Sequence, residues 1–202
     1  MNINDNNDIR IKCVMLGDQA VGKTSLVNRY ILDKFFPYSE TTIGATYNAK
    51  PIAFENKIYK LDIWDTAGQE RYRSMVPLYY RNADIVFICI DLSTSNINDN
   101  FRYWYNDLNN NTPENDNRLI CLVGTKSDLK IESNDMIIQQ INVNNDNIFY
   151  IETSAKENKN ISRLFNDATS KYLNNYQKKK EKDTIEIDKE KTVKKKYFCF
   201  LF

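Results

Sequence analysis

The chain predicts an α/β fold: a six-stranded, mostly parallel sheet with one antiparallel edge strand and about five helices. Three features of its 202 residues point that way. Short, nearly continuous apolar runs recur along the chain, and stretches with helical spacing separate them. Only one pair of runs is joined closely enough to form a hairpin.

The first run, Ile9–Leu16, leads to Lys23–Leu32 with helical spacing. Ala49–Phe54 and Tyr59–Trp64 flank Glu55-Asn56-Lys57 and read as the hairpin that supplies the antiparallel edge. Ile85–Ile90 follows, then the helical stretch Asn98–Leu108. Leu119–Val123 precedes Asn134–Val143, whose helical pattern is weaker because asparagine blurs it. Ile148–Ile151 is the last strand and Ile161–Tyr172 the last helical stretch. Strands this apolar belong to a sheet covered on both faces. Ligands of such folds bind beyond the carboxyl ends of the strands, so functional loops are expected directly after strands.

Composition narrows the class. The chain is 42% hydrophobic and 27% charged, as expected of one globular domain with a tail. No apolar run approaches the roughly 20 residues of a spanning helix. Polar Met1–Asp8 does not resemble a signal peptide, so neither secretion nor a membrane span is expected. The absence of histidine excludes an imidazole base and histidine-ligated metals. Four cysteines without CxxC spacing read as small buried thiols of a reducing compartment, Cys199 excepted. Residues 178–202 hold nine Lys against five acidic residues, whereas the rest of the chain is slightly acidic, which points to a tail that seeks an anionic surface rather than to a nucleic-acid binder. Residues 1–8 are expected to be disordered, 9–177 to form the domain, and 178–202 to be a flexible basic tail.

All five glycines, Gly17, Gly22, Gly44, Gly68 and Gly124, lie in or beside candidate loops. Gly17-Asp18-Gln19-Ala20-Val21-Gly22-Lys23-Thr24 matches GxxxxGK[ST] between a strand and a helix. Backbone N–H groups there cradle phosphates, Lys23 reaches their outer oxygens, the Thr24 hydroxyl binds Mg²⁺, and Ser25 completes the segment. Asp65-Thr66-Ala67-Gly68-Gln69-Glu70 follows the strand ending at Trp64. Asp65 can hold a metal-bound water, Gly68 can offer its N–H to a γ-phosphate, and Gln69 can orient an attacking water. Gly124-Thr125-Lys126-Ser127-Asp128 reads the base, since a carboxylate accepts both the N1–H and the exocyclic amine of guanine. Mispairing at such a buried group costs a factor of about 10⁴. Thr153-Ser154-Ala155-Lys156 supplies the opposite loop; taken alone, Ser154 and Lys156 would also fit a helix N-cap region.

Phosphate loop, Thr42, DTAGQE, TKSD and TSAK, in this order, resemble a small GTPase of the Ras superfamily, a P-loop NTPase small G domain, over about residues 9 to 175. Trp64–Tyr72 and Tyr79-Tyr80-Arg81 are similar to the Rab branch, and Thr41–Ala45 with Pro77–Tyr80 leans towards its endosomal members. The resemblance implies a guanine-nucleotide-dependent switch that binds and slowly hydrolyses GTP to GDP with Mg²⁺ and recruits effectors in vesicle-mediated protein transport. It also implies that Phe35 lies against the guanine, and that Thr42 completes the Mg²⁺ shell and joins Lys23 and Gln69 in the reaction. Two segments, Pro37–Tyr47 and Ala67–Tyr79, would loosen once the γ-phosphate is lost. Ile43, Tyr47, Trp64 and Tyr79 would face effectors, Tyr47 standing where phenylalanine is usual. Implied partners are an exchange factor, a GTPase-activating protein, and prenylation and membrane-extraction chaperones. A monomer is expected, cycling between the cytosol and the cytosolic face of an intracellular membrane.

Three residues depart from the family pattern. Thr125 replaces asparagine and is expected to tie less firmly to the phosphate loop. Gln19 replaces a small residue beside the γ-phosphate, so unassisted hydrolysis below about 10⁻² s⁻¹ is expected. Asn82 replaces a glycine and tolerates left-handed backbone. A different class, a GTP-holding membrane scaffold that does not turn over, fits Gln19 and Thr125 but leaves Gln69 without a purpose. A metabolic P-loop kinase would need a lid segment that the sequence lacks.

The last residues, Cys199-Phe200-Leu201-Phe202, fit C-a-a-X with a geranylgeranyl-type ending. A single lipid holds a membrane reversibly, so Lys191, Lys194, Lys195 and Lys196 are expected to add attraction of about 1 kcal/mol each to an anionic leaflet.

Overall fold

A computed structural model describes residues 9–113, 117–132, 134–143 and 148–178. Six strands form one sheet: β1 (Ile9–Leu16), β2 (Ala45–Phe54), β3 (Lys57–Thr66), β4 (Ile85–Asp91), β5 (Leu119–Thr125) and β6 (Ile148–Glu152). Their order is β2-β3-β1-β4-β5-β6, and only the β2–β3 pair is antiparallel. The helices are α1 (Lys23–Leu32), α2 (Val76–Tyr80), α3 (Ile97–Asn110), α4 (Asn134–Val143) and α5 over residues 161–178. Short 3₁₀ turns cover Glu70–Met75 and Ser127–Leu129.

Alternation along β1 divides the interior. Ile11, Cys13 and Met15 point to one face, where Leu26, Val27 and Tyr30 of α1 meet Leu164, Phe165 and Ala168 of α5. Val14 and Leu16 point to the other, against Val76 and Tyr80 of α2, Phe101 and Trp104 of α3, and Ile138 and Ile141 of α4. Both faces are thus covered, as the apolar strands require. Tyr30 stacks on Phe165 with ring centroids 3.8 Å apart, pinning α1 to α5.

The predicted bounds of β1, α1 and α4 match the structure. Lys57 belongs to β3 rather than to the turn: it pairs with Phe54, leaving the two-residue turn Glu55-Asn56, with Glu55 at φ 52. β2 begins at Ala45, four residues earlier than its apolar pattern indicates, because the ladder to β3 continues through polar Thr46 and Asn48. Asn82 sits at φ 56, the left-handed geometry expected of it. Cys13, Cys89 and Cys121 are wholly buried, and burial pushes the Cys89 thiol up to about 12. Among the described residues no helix is long and apolar enough to cross a membrane. Residues 1–8, and 179–202 with Lys191, Lys194–Lys196 and Cys199, lie outside the described residues.

Candidate functional site

β1 is the point where the chain reverses direction across the sheet, passing to β3 on one side and β4 on the other. Ligands of open α/β sheets bind beyond the carboxyl ends of strands at such a point. A cavity of about 490 Å³ opens there, within the usual range of ligand sites.

The loop after β1 wraps one end of this cavity. Gly17 holds φ +143, and a Cβ there would come within 2.5 Å of the Cys89 carbonyl, so only glycine fits. Lys23 is 5% exposed, and its ammonium donates to the Gly17 carbonyl at 2.7 Å and the Asp18 carbonyl at 2.8 Å. An ammonium has three donors, so one remains for a ligand oxygen. Burial lowers the Lys23 pKa, which favours an anionic partner that keeps the charge in place.

Beside Lys23, three oxygen-bearing side chains converge. The Thr24 hydroxyl donates to Asp65 Oδ2 at 2.6 Å and lies 3.0 Å from the Thr42 hydroxyl. Asp65 is 1% exposed, and its other oxygen, Oδ1, is buried without a protein partner. Burial raises the Asp65 pKa, a penalty that an adjacent cation would reverse. Two hydroxyls and an orphaned carboxylate oxygen are the hard donors that Mg²⁺ selects, so these residues fit that ion.

At the far end stands Asp128, its side chain 7% accessible. Ser154 donates to Asp128 Oδ1 at 2.6 Å, and Lys156 lies 3.9 Å from Oδ2. Lys126, in left-handed backbone at φ 54, is ion-paired with Asp91 at 2.5 Å. The Thr125 hydroxyl lies 2.5 Å from the Val21 carbonyl and 2.9 Å from that of Ile90. The phosphate loop and the β5 end are therefore joined through this one hydroxyl.

Of the predicted nucleotide residues, Gln19, Ala20, Gly22, Lys23, Thr24, Ser25, Phe35, Thr42, Gly68, Thr125, Lys126, Asp128, Ala155 and Lys156 line the cavity. Gly17, Asp18, Val21, Asp65 and Ser154 do not line it, but each is hydrogen-bonded to a residue that does. The Asp18 carboxylate turns away, accepting from Trp104 Nε1 at 3.0 Å and pairing with Arg73 at 3.4 Å. Gln69 does not line the cavity; it precedes the 3₁₀ turn with extended backbone. Ser154 is no helix cap, since α5 begins seven residues later; it closes a turn by a bridge to Lys159. Sequence reasoning missed Phe36 as part of the wall; the rest of it, Pro37 through Thr41, falls in the segment expected to respond to the γ-phosphate but was not read as lining the cavity.

On another face, Trp64 stands between Tyr47, 5.4 Å away by ring centroids, and Tyr79, 5.9 Å away. Ile43 is 77% exposed nearby in sequence. The Tyr47 hydroxyl donates to Asp62 at 2.7 Å and accepts from Arg10 at 3.0 Å, so the hydroxyl that phenylalanine would lack is engaged.

The Ras family model matches residues 12–174. The chain is 40% identical over 160 residues to the GTP-binding protein ypt5 of Schizosaccharomyces pombe, covering 78% of this chain and 75% of that one. The chain belongs to the Ras family. Members of the Ras family are GTPases, and hydrolysis of GTP is the activity of this chain. Its Ras-family relatives include Rab proteins. It is 37% identical to the Ras-related protein RABF2b of Arabidopsis thaliana, over 79% of this chain and 80% of that one. It is also 37% identical to the Ras-related protein Rab-5A of Dictyostelium discoideum, over 84% of each.

Proposed function

We propose that this Ras-family GTPase is a Rab-type molecular switch in vesicle-mediated protein transport, acting at an endosomal membrane. One observation carries the nucleotide part of the reading, the Rab part resting on the relatives: a single cavity joins a buried lysine, an oxygen-lined cation corner and a buried carboxylate. These groups match the phosphates, the Mg²⁺ and the base of a guanine nucleotide. Residues 9–177 form the nucleotide domain in this reading, and 178–202 its tail.

Lys23 binds the outer phosphates, and Thr24, Thr42 and, through water, Asp65 hold Mg²⁺. The ion, when bound, neutralises charge on the transferring phosphoryl group. Asp128 accepts from the guanine while Ser154 fixes its carboxylate, and Phe35 packs on the base. Gly68 meets the γ-phosphate, and Gln69 turns inward to orient water. Loss of the γ-phosphate releases Thr42 and Gly68 together, loosening the two segments that partners read. Ile43, Tyr47, Trp64 and Tyr79 then offer or withdraw an effector face. The scaffold alternative is not favoured. Cys199 is the proposed lipid site, assisted by Lys191 and Lys194–Lys196 at an anionic leaflet, with exchange factor, activating protein and lipid-handling chaperones as partners.

Asp128→Asn should exchange guanine for xanthine preference, because the amide both accepts and donates. Competition of GDP and XDP on purified protein reads this directly. Unchanged GDP affinity in that variant would overturn the base assignment. For the membrane part, amino-terminally tagged protein should leave membranes on Cys199→Ser; full retention refutes the anchor.

A further inference from the structure

We infer that Arg29, which no motif includes, is a positioning residue that clasps the base loop to the end of α1 and so sets how long the nucleotide stays bound. The inference rests on the guanine-site reading proposed for this cavity.

Arg29 lies in the last turn of α1, and its side chain is only 15% exposed. Its Nε donates to the Ala155 carbonyl at 2.8 Å, across 126 residues of chain. Its Nη1 donates to the Asp33 carbonyl at 2.7 Å. A guanidinium suits this task, since its planar fork aims two donors at two fixed acceptors, which a lysine ammonium on a flexible stem does not.

Both acceptors adjoin residues of the cavity. Ala155 is part of the cavity wall, between Ser154 and Lys156, the two residues that face Asp128. Asp33 ends α1 in left-handed backbone, φ 54, two residues before Phe35, which also lines the cavity. One side chain therefore holds the base loop and the entry to the Phe35 segment together.

The base loop needs such a hold. Residues 154–159 close on themselves through paired Ser154–Lys159 backbone bonds, and Asn158 and Asn160 take positive φ. From the β5 side the loop is fixed at its root, where Thr153 N–H donates to the Gly124 carbonyl at 2.6 Å and Ser127 N–H to the Thr153 carbonyl at 3.0 Å. From the α1 side it is fixed by Arg29 at Ala155, with a lesser contact of Asn158 Nδ2 to Asp33 Oδ1 at 3.2 Å. The ion pair of Arg29 with the Asp33 carboxylate is peripheral: it is 3.4 Å long and Asp33 is 80% exposed, so it adds little.

Release of fluorescent GDP from the full chain into excess GDP with Mg²⁺ tests the clasp. Arg29→Ala should release GDP about 10-fold to 100-fold faster, the scale of losing charge-assisted hydrogen bonds to a guanidinium. Arg29→Lys should fall between, because one ammonium can serve one carbonyl. Single-turnover hydrolysis of GTP, with protein in excess, should stay within about twofold of the unaltered chain in both variants, since Arg29 does not touch the phosphate end. Release within about twofold for Arg29→Ala overturns the inference while Asp128→Asn still speeds release. Loss of hydrolysis in proportion to faster release also overturns it, as general damage to the fold. If Asp128→Asn leaves GDP release unchanged, the guanine-site reading fails and takes the clasp with it.

Discussion

The hydroxyl of Thr24 donates to Asp65 at 2.6 Å, joining the first residues of α1 to the carboxyl end of β3 and leaving the second Asp65 oxygen buried and unpartnered. A carboxylate in that condition weakens the empty domain and waits for a cation. Burial raises its folded pKa above the unfolded value, so the unfolded chain gives up the proton first as pH rises. The stability that protonated Asp65 contributes is present in acid and is lost as pH rises through the folded pKa. Asp65→Asn, neutral at every pH, should therefore raise the Tm of nucleotide-free, Mg²⁺-free protein at pH 7, with the gain closing as pH falls toward about 4. With Mg²⁺ and GDP present the sign should reverse, with GDP released about 10-fold to 100-fold faster. Paired thermal melts and release rates check both halves.

Gly68 and Asp18 press backbone on backbone. A Cβ on Gly68 would lie 2.3 Å from the Asp18 carbonyl carbon and 2.5 Å from the Gln19 nitrogen, and neither is the tip of a movable side chain. Gly68→Ala must push the segment carrying Gln69 off the phosphate loop. Displacement of about 1 Å costs on the order of 100-fold in rate, so single-turnover hydrolysis should fall by at least that factor. GDP affinity, which does not depend on Gly68 reaching a γ-phosphate, should change by less than about threefold by direct titration.

Thr125 is 4% exposed and spans two carbonyls with one hydroxyl. Thr125→Val keeps the shape and removes the donor, leaving the Val21 carbonyl buried without it. The expected cost is about 1–3 kcal/mol, or roughly 2–4 °C of Tm per kcal/mol in a domain of this size. Because that carbonyl belongs to the phosphate loop, GDP release should accelerate as well. A melt and a release rate on the same preparation measure the two effects together.

Much of the fold and the site was legible in the residues, for physical reasons that differ by element. β4 and β5 are apolar on both faces, so their runs are continuous and their ends abrupt, whereas β1 becomes so only from Cys13, after Arg10 and Lys12. The phosphate loop declares itself because its glycines and Lys23 have no cheaper explanation between a strand and a helix. The stretch Glu70–Tyr80 did not, since a 3₁₀ turn followed by a one-turn helix containing Pro77 leaves too few residues to show a period. The wall from Phe36 to Thr41 is irregular backbone, and its membership in the cavity depends on where the chain passes rather than on which residues it carries. The order of the motifs put Ser154 beside Asp128, but that its hydroxyl donates to the Asp128 carboxylate rather than capping a helix needed the fold. Arg29 looked like any basic residue in a last turn, because its acceptors are backbone carbonyls, which no sequence pattern reveals.

The chain has two tryptophans, and their positions give them a value beyond packing. Trp64 packs at a tilt against exposed Tyr47 and half-buried Tyr79, and Trp104 donates its ring N–H to Asp18 of the phosphate loop. One indole therefore watches the face that partners would meet and the other the floor beneath the phosphates. Replacing either leaves a single indole, which can be excited apart from the 13 tyrosines, so the protein carries built-in optical reporters for both places, readable in real time without a dye or a tag.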